Sequence, residues 1–170
     1  MARPGLVAMP GDPEAGEPAI TILEALLDHE VTFAVFPDRP ETVDAILRQT
    51  GSHNVMPSAA DYVLTDGESL AQVLAEVKTG DLEYPERSAT IVCLVTGLAT
   101  ETGRGVRLML AGPGIEDERE LSVDGIDAVA VAAIQETNSL PPLGVDLVLV
   151  TPDGRFACLT RYTRLREVQQ

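Results

Sequence analysis

Apolar positions along the chain change spacing several times, and each change marks an element. Ile20, Leu23, Leu26 and Leu27 share one face of a helix, and Val31 to Phe36 follow as a short β-type run. Val43, Ile46 and Leu47 form a second helical stripe, with Pro40 near its start and Gly51 just past its end. Tyr62, Val63 and Leu64 predict another short strand. Leu70, Val73, Leu74 and Val77 then fall at i, i+3, i+4 and i+7, a helix that Gly80 is expected to stop. After residue 88 the character shifts toward strands. Ala89 to Leu98 predicts one long apolar strand, joined through a Gly103–Gly105 loop to a partner at Val106 to Leu110. A helix carrying Ile126, Val129, Ala130, Ala133 and Ile134 separates this hairpin from a second one. There Val145 to Val150 turns through Thr151-Pro152-Asp153-Gly154 into Phe156 onward, and Pro-Asp-Gly is strong turn chemistry. The pattern predicts an α/β domain: a three-layer arrangement of one mixed sheet with helices on both faces. Residues 1–18, rich in Pro, Gly and small side chains, read as an irregular lead-in to a single domain over 19–166.

Composition narrows the function classes. A length of 170 residues suits one domain with a core that needs no staples. The net charge of −15 argues against a general nucleic-acid binder and against an anionic membrane surface. No stretch approaches the ~18 apolar residues of a membrane span, and the N-terminus lacks the basic-then-apolar pattern of a signal peptide. The expectation is a cytoplasmic protein. All but one of the basic residues are Arg, and Lys78 is the single Lys. The final segment is the exception to the acidic balance, with Arg155, Arg161, Arg164 and Arg166 against Glu167. Such a segment reads either as an anion site, since guanidinium pairs phosphate or carboxylate in a bidentate fork, or as an Arg-lined strand edge.

Most enzyme signatures are missing. His29 and His53 have no zinc-ligand spacing with each other or with Cys93 or Cys158, and read as exposed helix-end and turn residues. The cysteines sit in apolar runs as small hydrophobes. There is no G-x-S-x-G elbow, no phosphate-loop lysine and no G-x-G-x-x-G. Three segments remain. Gly112-Pro113-Gly114-Ile115 follows a strand and is either a plain turn or a close-approach loop whose Gly114 and Ile115 amides face an anion. Asn138 to Asp146 is a stiff loop through Pro141, Pro142 and Gly144, and Asp146 needs a partner if it is buried. The third segment is Thr160-Arg161-Tyr162-Thr163.

In this order the three segments resemble the PhnH family, the H subunit of the bacterial carbon–phosphorus lyase system of phosphonate catabolism. The run Pro142 to Val150 and the strand end with Arg161 and Thr163 carry the likeness most clearly. Met1-Ala2-Arg3-Pro4-Gly5 is similar to the family's Met-x-x-Pro-Gly segment. That segment normally follows an N-terminal helix, so a chain that is naturally short or begun at an internal methionine is expected. Pro141 stands where the family has Phe, and Tyr162 where it has Thr. The resemblance implies a fold like the large domain of pyridoxal-phosphate-dependent transferases, without the cofactor. It also implies a homodimer, and a core complex with the G, I, J and K subunits. That complex uses ATP to support formation of ribose 1-methylphosphonate 5-triphosphate, so an accessory subunit is expected. The rival readings are a stand-alone phosphate-ligand module and a small phosphotransfer enzyme. The candidate ligand or interface residues are Gly112, Pro113, Gly114, Asn138, Gly144, Asp146, Arg161 and Thr163. No catalytic or metal-binding residue is named, and a nucleotide or a phosphonate is the ligand class. For Arg161 two arrangements stay open: a guanidinium beside the Gly114 amide, or a pair with Asp146.

Overall fold

The computed structural model describes residues 3–9, 17–100 and 103–168. Among the described residues four α-helices and ten strands follow in the order α1 (Pro18–Leu26), β1 (Thr32–Phe36), α2 (Pro40–Thr50), β2 (His53–Asn54), β3 (Tyr62–Asp66), α3 (Leu70–Glu76), β4 (Thr90–Leu94), β5 (Gly97–Ala99), β6 (Val106–Ala111), β7 (Arg119–Asp124), α4 (Ala128–Thr137), β8 (Asp146–Val150), β9 (Phe156–Leu159) and β10 (Arg164–Glu167). The larger sheet has the order β2-β1-β3-β4-β8-β9, parallel except for β9. Its central strands are apolar on both faces, and the two-residue period sorts them. Phe33, Val35, Leu64, Val92, Val148 and Val150 face one way and pack with Leu23 of α1 and Ile46 of α2. Ala34, Val63, Ile91, Cys93, Leu147 and Leu149 face the other way, toward α3 and α4. The expected mixed sheet with helices on both faces is therefore present.

The second half of the chain departs from the expectation of one sheet. A separate antiparallel sheet, β10-β6-β7-β5, adds Leu108, Leu110, Leu121 and Val123 to the core on the α3–α4 side. Ala89 to Leu98 is two strands. The N–H of Val95 donates to Val150 in the larger sheet at 2.9 Å, and the next N–H, of Thr96, donates to Asp124 in the smaller sheet at 2.8 Å. The chain changes sheet within one residue, at a Thr-Gly step that interrupts the apolar run. The first expected hairpin is re-paired as well: β7 lies between β5 and β6 and bonds to both. The second hairpin forms as expected, with Gly154 N–H closing its turn on the Thr151 carbonyl at 3.0 Å.

Smaller differences follow from burial. α3 ends at Glu76, ahead of Gly80, because Val77 turns to extended backbone and is buried. Within the expected irregular lead-in, residues 1–2 and 10–16 lie outside the described residues. Between them Gly5 and Ala8 bond to the free edge of β9, at 2.8 and 2.9 Å from the Cys158 and Phe156 carbonyls. That pairing covers an otherwise open strand edge.

Candidate functional site

Asp146 heads β8 and Arg161 follows the end of β9, so antiparallel pairing brings them to the same end of the sheet. One Asp146 oxygen accepts the Arg161 backbone N–H at 2.9 Å, and the other accepts the guanidinium at 2.8 Å. A second guanidinium N–H donates to the Pro85 carbonyl at 2.7 Å. The side chains are 13% and 21% exposed. Of the two arrangements left open by the sequence, the pair with Asp146 is the one present. Arg161 thereby ties the β9 end to β8 and to the short 3-10 turn Pro85–Arg87.

The neighbouring residues are engaged in the same way. Thr163 is buried and its hydroxyl accepts the Thr160 N–H at 3.1 Å, while its own N–H donates to the Thr160 carbonyl at 2.8 Å. Gly112-Pro113-Gly114-Ile115 closes on itself: the Ile115 N–H donates to the Gly112 carbonyl at 3.1 Å, and Gly114 has φ +83°. Proline at the second position and a positive φ at the third identify a type II turn. It is Gly112, not Gly114, that meets the arginine segment. A Cβ at Gly112 would stand 2.7 Å from the Tyr162 carbonyl, on a backbone with φ +142°. Asn138, just past α4, uses its side-chain amide like a strand edge. Its oxygen accepts the Val145 N–H at 2.8 Å and its NH2 donates to the Val145 carbonyl at 3.1 Å. Gly144 lies directly beneath that amide, where a Cβ would strike the Asn138 oxygen.

Asn138, Arg161 and Thr163 line a cavity of about 350 Å³, together with Ser139, Tyr162 and Arg164. Gly112 adjoins it through Tyr162, Gly144 through Asn138 and Asp146 through Arg161. The sequence did not point to Pro85, whose contribution is a backbone carbonyl that carries no residue signature. It also passed over Arg164 as a cavity residue. Arg164 lies at the rim with no ion pair among the described residues. Elsewhere, Lys78 is not the solvated helix-end side chain expected: its ammonium is 2.6 Å from Asp61. Burial alone would push the Asp61 carboxyl up, but the Lys78 ammonium and the Thr32 hydroxyl and amide outweigh it and hold it below the usual carboxylate value. Burial raises the Cys93 thiol to about 12. Among the described residues no three His, Cys, Asp or Glu side chains are grouped to hold a metal ion. Nor is any helix long and apolar enough to cross a membrane.

The profile of the bacterial phosphonate metabolism protein family, PhnH, matches residues 1–166. The chain belongs to the PhnH family. A protein of Stutzerimonas stutzeri described as "Putative C-P lyase subunit protein HtxG" is 42% identical over 119 residues, which is 70% of this chain. The chain spans 57% of the length of that curated relative. In this PhnH-family chain the two glycine-bearing loops and the Arg161 turn lie together. They brace one end of the larger sheet around a small cavity.

Proposed function

We propose that the chain is an accessory, structural subunit of a carbon–phosphorus lyase complex in phosphonate catabolism. The observation that carries this reading is the PhnH family match over residues 1–166, with the likeness to HtxG beside it. The site agrees with it in chemical terms. Asp146, Arg161, Thr163 and Asn138 are all committed to holding backbone in place, whereas a catalyst keeps its acid, base or nucleophile aimed at open space. In this reading the chain forms a homodimer and joins the G, I, J and K subunits in the cytoplasm. It carries no cofactor of its own. It supports conversion of ATP and a phosphonate to ribose 1-methylphosphonate 5-triphosphate without performing the substitution. In this reading the large sheet flanked by helices on both faces serves as a transferase-type scaffold that works without pyridoxal phosphate. The rim arginine Arg164, without an ion pair among the described residues, gives the 350 Å³ cavity a cation for a phosphonate or nucleotide oxygen.

Co-expression with tagged G, I, J and K subunits tests the reading. The chain should elute with them as one species by size-exclusion chromatography. On its own it should show twice its 18.1 kDa chain mass by light scattering. Elution apart from every subunit would refute the assignment, and turnover of ATP by the isolated chain would favour the enzyme reading instead.

A further inference from the structure

On the side of the larger sheet that carries α3 and α4, the two helices frame a groove of about 560 Å³. α4 has the sequence AVAVAAIQET, apolar through its first seven positions. A helix apolar on every side belongs in the interior, yet only one side of α4 is covered. Ala130, Val131 and Ile134 are buried, while Val129 is 64% exposed and Ala132 is exposed beside it. α3 adds Ala71 and the exposed Ala75 to the same groove. Small side chains on both walls leave room for a third helix at short interaxial distance.

Charge decides what kind of helix fits. α3 and α4 begin together, because Gly67 ahead of α3 lies against the carbonyl of Gly125 ahead of α4. They end together, because beyond them Gly144 N–H donates to the Thr79 carbonyl at 3.0 Å. Their C-termini therefore point the same way, and their partial negative charges add. Glu76 and Glu136 sit in the last turns, and neither last turn holds a basic residue. One end of an apolar groove is thus electronegative. A second copy docked there would bring in acidic side chains in either direction, Glu76 and Glu136 at one end or the exposed Glu68 and Asp127 at the other, and like charges across an interface oppose it. We propose that the α3–α4 groove docks a helix of a different protein. That helix has small apolar residues along its buried face and Lys or Arg where it passes Glu76 and Glu136. The proposal rests on the reading of the chain as a complex subunit and names its contact surface.

The test uses the full chain co-expressed with the tagged lyase subunits. A photo-crosslinking amino acid, p-benzoylphenylalanine, replaces Ala132 in one version. In a control version it replaces the exposed Glu41 of α2, on the opposite face of the larger sheet. Irradiation should join position 132, but not 41, to a helix of another subunit with Lys or Arg next to the joined residue. Ala132→Glu, at a solvent-facing position, should lower co-purification at least tenfold while leaving the melting curve in place, and Glu136→Lys should lower it as well. A product joining two copies of this chain, or unchanged co-purification of Ala132→Glu, overturns the proposal. Wild-type co-purification without a crosslink at 132 refutes the groove alone. No co-purification of wild type refutes the subunit reading and the groove with it.

Discussion

The Asp146–Arg161 pair is the most consequential contact to perturb, because one carboxylate holds both the backbone and the side chain of the same arginine. Asp146→Ala removes two hydrogen bonds, at 2.8 and 2.9 Å, and leaves a guanidinium that is only 13% exposed with one remaining partner, the Pro85 carbonyl. Hydrogen bonds to charged groups contribute ~1.5–3 kcal/mol each, and partial exposure of the pair places the sum near ~2–3 kcal/mol. For a chain of this length 1 kcal/mol moves the midpoint by roughly 2–4 °C, so Tm should fall by ~4–12 °C. Arg161→Ala should cost a similar amount. The double variant should cost ~1–2 kcal/mol less than the sum, since the second substitution removes a group already stranded by the first. Urea unfolding of the four proteins measures the cycle. Single effects that add to within ~0.5 kcal/mol would refute the clamp and return Arg161 to the role of a ligand-binding cation.

Asn138→Ala strips both partners from the buried backbone of Val145 and should cost ~2–3 kcal/mol in the same assay; a loss under ~0.5 kcal/mol would show that water replaces the amide. The Asp61 carboxyl is held below its ordinary value in the folded state. Its stabilising contribution is therefore complete above about pH 4, the unfolded value, and disappears as pH falls through the lower folded value. Asp61→Asn should flatten the acid limb of a stability–pH curve, and an unchanged limb would count against the Lys78–Asp61 pair. Cys93, buried with its thiol raised to about 12, should resist iodoacetamide at pH 8 until the protein is unfolded. Mass analysis showing Cys93 alkylated in the native protein would contradict that burial.

Much of the first half of the fold was legible because its elements are locally consistent. Pro40 and Gly51 bracket α2, and the apolar stripes of α1 and α3 belong to helices with one buried side. The second half hid its topology for a physical reason. β7, with the sequence RELSVD, buries only Leu121, Ser122 and Val123, and a strand with so few apolar residues resembles a loop. β10, RLRE, buries Leu165 alone. Without those two strands the smaller sheet has no partners, and Ala89 to Leu98 looks continuous. At the site, the Asp146–Arg161 pairing was one of two arrangements the sequence left open. The Pro85 carbonyl and the Gly112–Tyr162 contact depend on backbone placement, for which side-chain identity gives no sign.

The step from Val95 to Thr96, whose successive amides bond to different sheets, constrains how the molecule can move. Enzymes that close over a substrate need two bodies and a hinge, with few bonds crossing between them. Here the crossing strand is itself woven into both bodies, at a point where both are packed into one core. Relative rotation of the two sheets would have to break ladder bonds on either side of a single peptide unit. A clamshell opening between the sheets would therefore cost backbone hydrogen bonds at that unit. What such a rigid block can offer its surroundings is fixed geometry: surfaces held at constant spacing for other chains to assemble against.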